Sequence, residues 1–183
     1  MYFIMKLKTV LYDGETLNRI IKRIAHEILE NTENPEMLCL VGIKTRGVPF
    51  AERLSEAIEK IEGIKVPVGI LDITLYRDDL KENKGEDPIV SETLINFDTE
   101  GKEVILTDDV ISTGRTVRAA LSALLKMGRA EKIKLAAIVD RGHRELPIRP
   151  DFIGKNIPTS KSEVVKVFLA ETDGKDSIEL YEK

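Results

Sequence analysis

Short apolar runs that alternate with amphipathic stretches constrain the fold of this chain more than any other feature. Leu38–Ile43 is a continuous apolar run bounded by turn signals, and this pattern is typical of a buried strand. From Leu17 to Leu29, apolar residues recur at steps of three and four, which predicts an amphipathic helix. The same two patterns continue along the chain: strands are predicted at 66–73, 103–107 and 133–139, and helices at 50–61 and 117–127, the last stopped by Gly128. Strands that alternate with helices form a parallel, doubly wound sheet, so we expect an α/β fold with its ligand crevice at the carboxyl ends of the strands.

Length and composition predict one soluble domain. The chain has 183 residues, of which 42% are hydrophobic, and its formal net charge is −4. These values favour a single domain spanning residues 1–183 and argue against a protein that coats nucleic acid non-specifically. The lone Cys39 excludes an intramolecular disulfide, and the chain contains no apolar stretch of membrane-spanning length, so we expect a cytoplasmic protein with no membrane partner. The polar stretch within residues 77–100 predicts a mobile loop.

An acid pair follows the predicted strand 103–107. Asp108 and Asp109 would repel each other and lose solvation there, a cost that calls for nearby donors or cations. The hydroxyl-rich run Ser112–Thr116 then opens a helix, where unpaired backbone N–H groups favour a phosphate. An acid pair beside a phosphate cradle fits a phosphorylated sugar, with the acids accepting from ribose hydroxyls. In the structural alternative, the two acids only cap the turn and Thr113 caps the helix.

Other phosphate motifs fit this region less well. A nucleotide P-loop needs a glycine and a lysine where this chain has Asp109 and Arg115, and no Gly-x-Gly-x-x-Gly opens a helix. A phospho-acceptor receiver domain remains an alternative that gives no role to Ser112–Thr116. The turn Lys44-Thr45-Arg46-Gly47, after strand 38–43, is a candidate anion clamp or an ordinary charged turn.

Basic residues concentrate in two places on this acidic chain. Arg19, Lys22, Arg23 and His26 share one stripe of the first helix, opposite its isoleucines. In the segment 141–161, five Arg and Lys residues against two acids give a charge of +3. A local basic surface is suited to binding a structured RNA. Alternatively, these basic residues only form a solvated helix surface without a ligand.

The run Val104–Thr116, VILTDDVISTGRT, resembles the motif with which type I phosphoribosyltransferases bind phosphoribosyl diphosphate (PRPP). Four further blocks resemble the bacterial pyrimidine operon attenuation regulators within that family. They are RIAHE at 23–27, LVGIKTRG at 40–47, DITLYRDDL at 72–80, and VDRGHRELPIRPDFIGKNIPTSKSE at 139–163. The resemblance covers nearly the whole chain and implies a type I phosphoribosyltransferase fold, with flanking helices, a small hood and a mobile hairpin loop.

The resemblance also implies a reaction, in which uracil and PRPP give uridine monophosphate (UMP) and diphosphate. Mg²⁺ would arrive with PRPP rather than on protein side chains alone, and no organic cofactor is expected. The implied catalytic residues are Asp108, Asp109 and Arg77, the last on the closing loop unless it is only a solvated arginine. Ser112 stands where purine-type relatives often carry an acid, which argues against hypoxanthine or guanine. The implied substrate-binding residues are Thr45, Arg46, Asp108, Asp109, Val110, Ile111, Ser112, Thr113, Gly114, Arg115 and Thr116, and the implied base pocket contains Asp140, Arg141 and Ile157.

The regulators that the chain resembles bind a stem-loop in the leader of pyrimidine-biosynthesis mRNA when uridine nucleotides are abundant. The resemblance therefore implies UMP or UTP as effectors and a homodimer or higher homo-oligomer. A uracil salvage enzyme without an RNA role is the alternative, and a regulator with vestigial catalysis is a third possibility. The implied RNA-binding residues are Lys22, Arg23, His26, His143, Arg144, Arg149 and Lys155.

Overall fold

A five-stranded parallel sheet forms the centre of the molecule. The computed structural model describes residues 5–76 and 93–183. The sheet has the strand order β3-β2-β4-β5-β6. Its strands are β2 (Leu38–Ile43), β3 (Val68–Leu71), β4 (Glu103–Ile111), β5 (Lys132–Asp140) and β6 (Phe152–Asn156), and the helices beside it are α1 (Gly14–Glu30), α2 (Gly47–Glu62) and α3 (Arg115–Leu124).

Both faces of this sheet are buried, which explains the continuous apolar run of β2. Leu38 and Leu40 join a core with α1 and α2, whereas Cys39 and Val41 join a second core with α3. Successive side chains of a strand point to opposite faces, so a strand covered on both sides can be apolar at every position. The α/β fold class predicted from the sequence is therefore confirmed.

A second, smaller sheet forms a hood over the first core. Strands β1 (Lys6–Asp13), β8 (Ser177–Glu182) and β7 (Glu163–Phe168) pair antiparallel in the order β1-β8-β7. The one-turn helix α4 (Ala170–Asp173) connects β7 to β8. Buried hood residues such as Val167 and Ile178 pack in the same core as α1 and α2. Because of this packing, the hood lies beside the carboxyl end of β2, where α2 begins.

Several boundaries differ from the sequence predictions. The strand expected at 103–107 continues to Ile111, because Val110 and Ile111 pair with Val139 and Asp140 of β5. The helix expected at 117–127 begins earlier and ends at Leu124. Of the expected mobile loop, residues 77–92 lie outside the described residues, while Leu94 pairs with Ile70 of β3. No helix within residues 5–76 and 93–183 is long and apolar enough to cross a membrane.

Candidate active site and basic surface

The acid pair lies at the carboxyl end of the central strand β4. Asp108 is buried and Asp109 is half-buried, and the backbone N–H of Asp109 donates to Oδ1 of Asp108 over 3.0 Å. Burial raises the pKa of Asp109, whereas hydrogen bonds and the positive charge of Arg46 act to lower it. The pair is therefore held in a desolvated position where a ligand hydroxyl or a cation would compensate its charge.

The turn Lys44-Thr45-Arg46-Gly47 lies against the strand that carries these acids. A Cβ atom on Gly47 would lie 2.3 Å from the carbonyl oxygen of Thr107, so only glycine fits there. The Thr107 hydroxyl donates to the Gly47 carbonyl over 2.7 Å. The peptide bond between Lys44 and Thr45 is cis, and the Thr45 side chain is exposed. The turn, predicted as an anion clamp, thus adjoins the acid pair.

Arg46 of this turn is bound to the hood. Its Nε and Nη2 donate to the two carboxylate oxygens of Asp173 over 2.9 and 2.7 Å. Its guanidinium also lies 5.9 Å from the ring centre of Phe168. Sequence reasoning missed Asp173, and no local signal could have found it because it is 127 residues from Arg46.

The hydroxyl-rich run forms the turn between β4 and α3. Gly114 precedes the helix in the left-handed backbone region, with φ of +90°, and the bond from Arg118 N–H to its carbonyl closes the first helical turn. The N–H groups of Thr116 and Val117 come before that bond, so they are available to an anion. Thr113 accepts from the Arg115 N–H through its hydroxyl over 3.3 Å. The structure therefore places the hydroxyl-rich run at the amino end of α3, and its role as a phosphate cradle stays a prediction.

The segment 140–148 braces this cradle from the side. Arg144 donates from Nη1 to the Ser112 carbonyl and from Nε to the Ile148 carbonyl, both over 2.6 Å, and from Nη2 to Asp140. The N–H groups of Glu145 and Leu146 both donate to the Thr113 carbonyl over 3.0 Å. Arg144, expected on the RNA surface, is thus bound within the loops of the site. Arg115 of the cradle pairs in turn with Glu145.

The segments expected to form the base pocket lie next to the cradle. Ile157 donates its N–H to the Asp140 carbonyl over 2.8 Å, and Arg141 donates its N–H to the Ile111 carbonyl over 3.1 Å. The Asp140 carboxylate accepts hydrogen bonds from the Gly142 N–H and from Arg144, so both of its oxygens bind groups of the protein itself. Within the described residues, the buried Nε of Arg141 has no hydrogen-bond partner.

The basic residues of α1 face outward beside β6. Lys22, Arg23 and His26 are exposed, and Arg23 donates to the Ile153 and Gly154 carbonyls over 2.9 and 2.6 Å. Lys155 of β6 lies with its Nζ 5.2 Å from the Tyr12 ring centre. The basic face of α1 therefore lies beside β6, the strand that carries Lys155.

Three predicted residues remain to be placed, and they are His143, Arg149 and Arg77. His143 has a φ of +62°, and its Nε2 lies 2.8 Å from the Thr159 carbonyl, which makes that nitrogen the protonated one. Arg149 is exposed. Arg77, expected to be catalytic, lies outside the described residues.

Comparison with known proteins defines the class to which this fold and site belong. The phosphoribosyl transferase domain model matches residues 9–172, and the chain belongs to that family. A hypoxanthine-guanine phosphoribosyltransferase from Bacillus anthracis has a similar fold, with a TM-score of 0.72 at 19% identity over 98% of this chain and 99% of that one. Within the family, the chain is a member of the bifunctional PyrR proteins. It is 57% identical to the bifunctional protein PyrR of Thermus aquaticus over 98% of both chains, and 55% identical to that of Deinococcus radiodurans over 96% of this chain and 95% of the relative.

Proposed function

We propose that this protein is a uridine-nucleotide-dependent RNA-binding regulator that attenuates transcription of pyrimidine-biosynthesis genes and also converts uracil and PRPP into UMP and diphosphate. The observation that carries the enzymatic part is the Asp108–Asp109 pair, flanked by an anion turn on one side and a phosphate cradle on the other. The similarity to bifunctional PyrR proteins supports the double role.

Each part of PRPP has a matching part of the site. Asp108 and Asp109 accept from the ribose hydroxyls, the turn Ser112–Thr116 holds the 5′-phosphate, and Thr45 with Arg46 receives the diphosphate. The bond from ribose C1′ to the diphosphate oxygen breaks and its electron pair leaves with the diphosphate. Uracil N1 bonds to C1′, and the proton released from N1 passes to solvent. The charge that develops on the ribose is positive, so the carboxylate of Asp109 stabilises it.

In this proposal, Mg²⁺ enters the site already bound to PRPP. Asp109 suits a neighbouring cation, because burial raises its pKa and a cation would favour its ionised form. When bound, the ion neutralises the leaving diphosphate.

The enzymatic part is tested by following UMP formation from uracil, PRPP and Mg²⁺. The Asp109→Asn variant should lose at least 100-fold in kcat. Asp98→Asn is the matched control, since exposed Asp98 precedes the amino end of β4 and should retain wild-type turnover. Hypoxanthine and guanine should not replace uracil, because the Ser112 hydroxyl cannot serve as a base near neutral pH. Equal activity of the two variants would contradict the assignment.

For RNA, we propose that Lys22, Arg23, His26 and Lys155 contact phosphates, while His143 and Arg149 complete the surface. Arg144 belongs to the proposed RNA-binding set mainly as the residue that holds segment 140–148 in place. Lys22 and His26 are the most suitable residues to replace, because their side chains are exposed and their substitution should not disturb the fold. Combining Lys22→Gln with His26→Gln should weaken binding of a pyrimidine-leader stem-loop about tenfold or more and leave turnover unchanged. Lys60→Gln, the loss of an exposed charge on α2, should have no effect.

The same titration separates the regulator from the alternative, a salvage enzyme whose basic stripe is only surface. Binding should be selective for the leader sequence and stronger with UMP or UTP. Weak binding that falls steeply with salt and does not depend on the RNA sequence would mean that the protein is a uracil salvage enzyme without a role in RNA binding. We further propose a cytoplasmic homodimer or higher homo-oligomer, which sedimentation equilibrium would test.

A further inference from the structure

The hood holds α2 through two arginines on the same side of that helix. Arg46 and Arg53 are seven residues apart, about two helical turns. Arg53 donates to Glu171 from Nε and Nη2, both over 2.7 Å, and to Asp176 from Nη1 and Nη2 over 3.1 and 2.7 Å. The hood segment 169–176 thus supplies the carboxylates that bind both arginines.

The contact with Arg46 is fixed from the hood side. The Asp173 carboxylate accepts from the Leu169 N–H over 2.9 Å in addition to its two bonds from Arg46. The Phe168 ring that Arg46 approaches also has Lys175 Nζ 4.1 Å from its centre, and Lys175 pairs with the buried Glu179. Asp173 is only 11% exposed, so this pair is shielded more than a surface ion pair.

Arg46 therefore lies between carboxylates of the hood and of the acid pair. The hydrogen bond with Asp173 raises the pKa of Arg46, and the charge of Asp109 acts in the same direction. The bidentate pair uses Nε and Nη2, so Nη1 can still donate to a ligand. The Arg46 guanidinium is thereby held in one orientation before any ligand arrives.

We propose that Asp173 is a positioning residue, which holds the Arg46 guanidinium for the diphosphate group and so makes the hood part of the PRPP site. This inference rests on the proposed function, because it takes diphosphate as the ligand of Arg46. An arginine fixed in its binding orientation loses less entropy when the ligand binds. Asp173 therefore contributes to affinity without touching the substrate.

The Asp173→Asn variant tests this role. It keeps the size of the side chain but removes the charge that holds the guanidinium fork. We expect the KM for PRPP to rise about tenfold, which corresponds to about 1.4 kcal/mol. The KM for uracil should stay unchanged and kcat should change less than threefold. In the same hood segment, Glu171→Gln is the matched control, because it weakens the Arg53 contact and should leave the KM for PRPP unchanged.

A double-mutant cycle shows whether Asp173 acts through Arg46. Arg46→Gln should raise the KM for PRPP by itself, and Asp173→Asn should add little on that background. The Asp173→Glu variant should recover part of the loss. The proposal would be overturned by additive effects of the two substitutions or by an unchanged KM for PRPP in Asp173→Asn. It would also be overturned if Asp173→Asn bound PRPP more tightly than the wild type, because Asp173 would then compete with the ligand for Arg46.

Direct binding keeps this inference separate from the proposed reaction. Calorimetric titration with magnesium diphosphate needs no turnover, and we expect about tenfold weaker binding by Asp173→Asn than by the wild type. If the wild type binds diphosphate but forms no UMP, the proposed reaction fails while the role of Asp173 stands. If both proteins bind magnesium diphosphate equally well, the role of Asp173 fails. Thermal unfolding of Asp173→Asn and Glu171→Gln shows whether either result reflects a loss of folding.

Discussion

Replacing Gly47 by alanine would disturb both halves of the PRPP site through a single methyl group. The added Cβ would lie 2.3 Å from the Thr107 carbonyl oxygen and 3.4 Å from Asp108 Cα. Ordinary contacts begin near 3.4 Å, so the two backbones would have to separate by about 1 Å. Thr107 cannot move away easily, since β4 pairs with β2 and β5 at this position. The turn that carries Arg46 would therefore move instead.

A displacement of about 1 Å in a positioned group can cost on the order of 100-fold in catalysis, so we expect kcat/KM for PRPP to fall by about that factor. Overpacking of this kind costs about 1–3 kcal/mol in the free energy of unfolding. For a chain of this length each kcal/mol lowers Tm by about 2–4 °C, so calorimetry should show a decrease of about 2–12 °C.

Gly63→Ala is the matched control, because Gly63 ends the helix that Gly47 begins. Its φ is +73° and no atom lies within 4 Å of an added Cβ, so the substitution strains the backbone without filling space. The strain costs about 1–2 kcal/mol, comparable to the loss in Gly47→Ala. We expect Gly63→Ala to keep wild-type kcat/KM. Wild-type activity in Gly47→Ala, or equal activity losses in the two variants, would refute the close approach of the turn and β4 as the cause.

Three further predictions follow from individual side chains. Arg144→Lys should raise the KM for PRPP about tenfold, because one amine cannot replace the bonds to the Ser112 and Ile148 carbonyls; a PRPP titration checks this, and a defect confined to RNA binding would contradict it. Burial acts to raise the pKa of Glu179, but hydrogen bonds from hood side chains outweigh it and lower the pKa to about 2. The stabilisation by Glu179 is therefore complete above about pH 4.5 and is lost as the pH falls towards 2, so Glu179→Gln should cost about 1–3 kcal/mol in urea unfolding at pH 7 and less at pH 3; an equal cost at both pH values would refute this. Burial raises the pKa of the Cys39 thiol to about 12, so iodoacetamide should alkylate it at pH 8 far more slowly in folded than in unfolded protein, as mass spectrometry would show.

The interior strands were predictable because their environment is uniform. Leu38–Ile43 is apolar at nearly every position, since both faces of β2 are covered, and this pattern needs no knowledge of the neighbours. The hood strands lacked such a signal. Most side chains of Lys6–Asp13 are exposed, and Glu163–Phe168 and Ser177–Glu182 mix polar and apolar residues. Their strand conformation comes from pairing with one another, which residue patterns along one segment do not reveal.

The site was predictable where its chemistry is local in sequence. Asp108, Asp109 and the hydroxyl-rich turn follow one another along the chain, so their proximity needed only the direction of the strand. The partner of Arg46 was not predictable in this way, because Asp173 comes from a different sheet. Charge counting also treated Arg144 as part of a basic surface, whereas its guanidinium is bound to carbonyls inside the site. A sequence gives the charge of a side chain but not the direction in which it points.

Arg144 lies on a chain of contacts between the proposed nucleotide site and the proposed RNA surface. The segment 140–148 is bound to the phosphate cradle through Arg144 and to the loop after β6 through His143 and Thr159. Arg23 of the basic helix is bound in turn to β6 carbonyls. A continuous set of contacts therefore joins the proposed nucleotide site to the proposed RNA surface. Contacts alone do not create coupling, which requires that both ligands favour the same arrangement of this segment. If they do, RNA must raise the affinity for UMP by the same factor by which UMP raises the affinity for RNA.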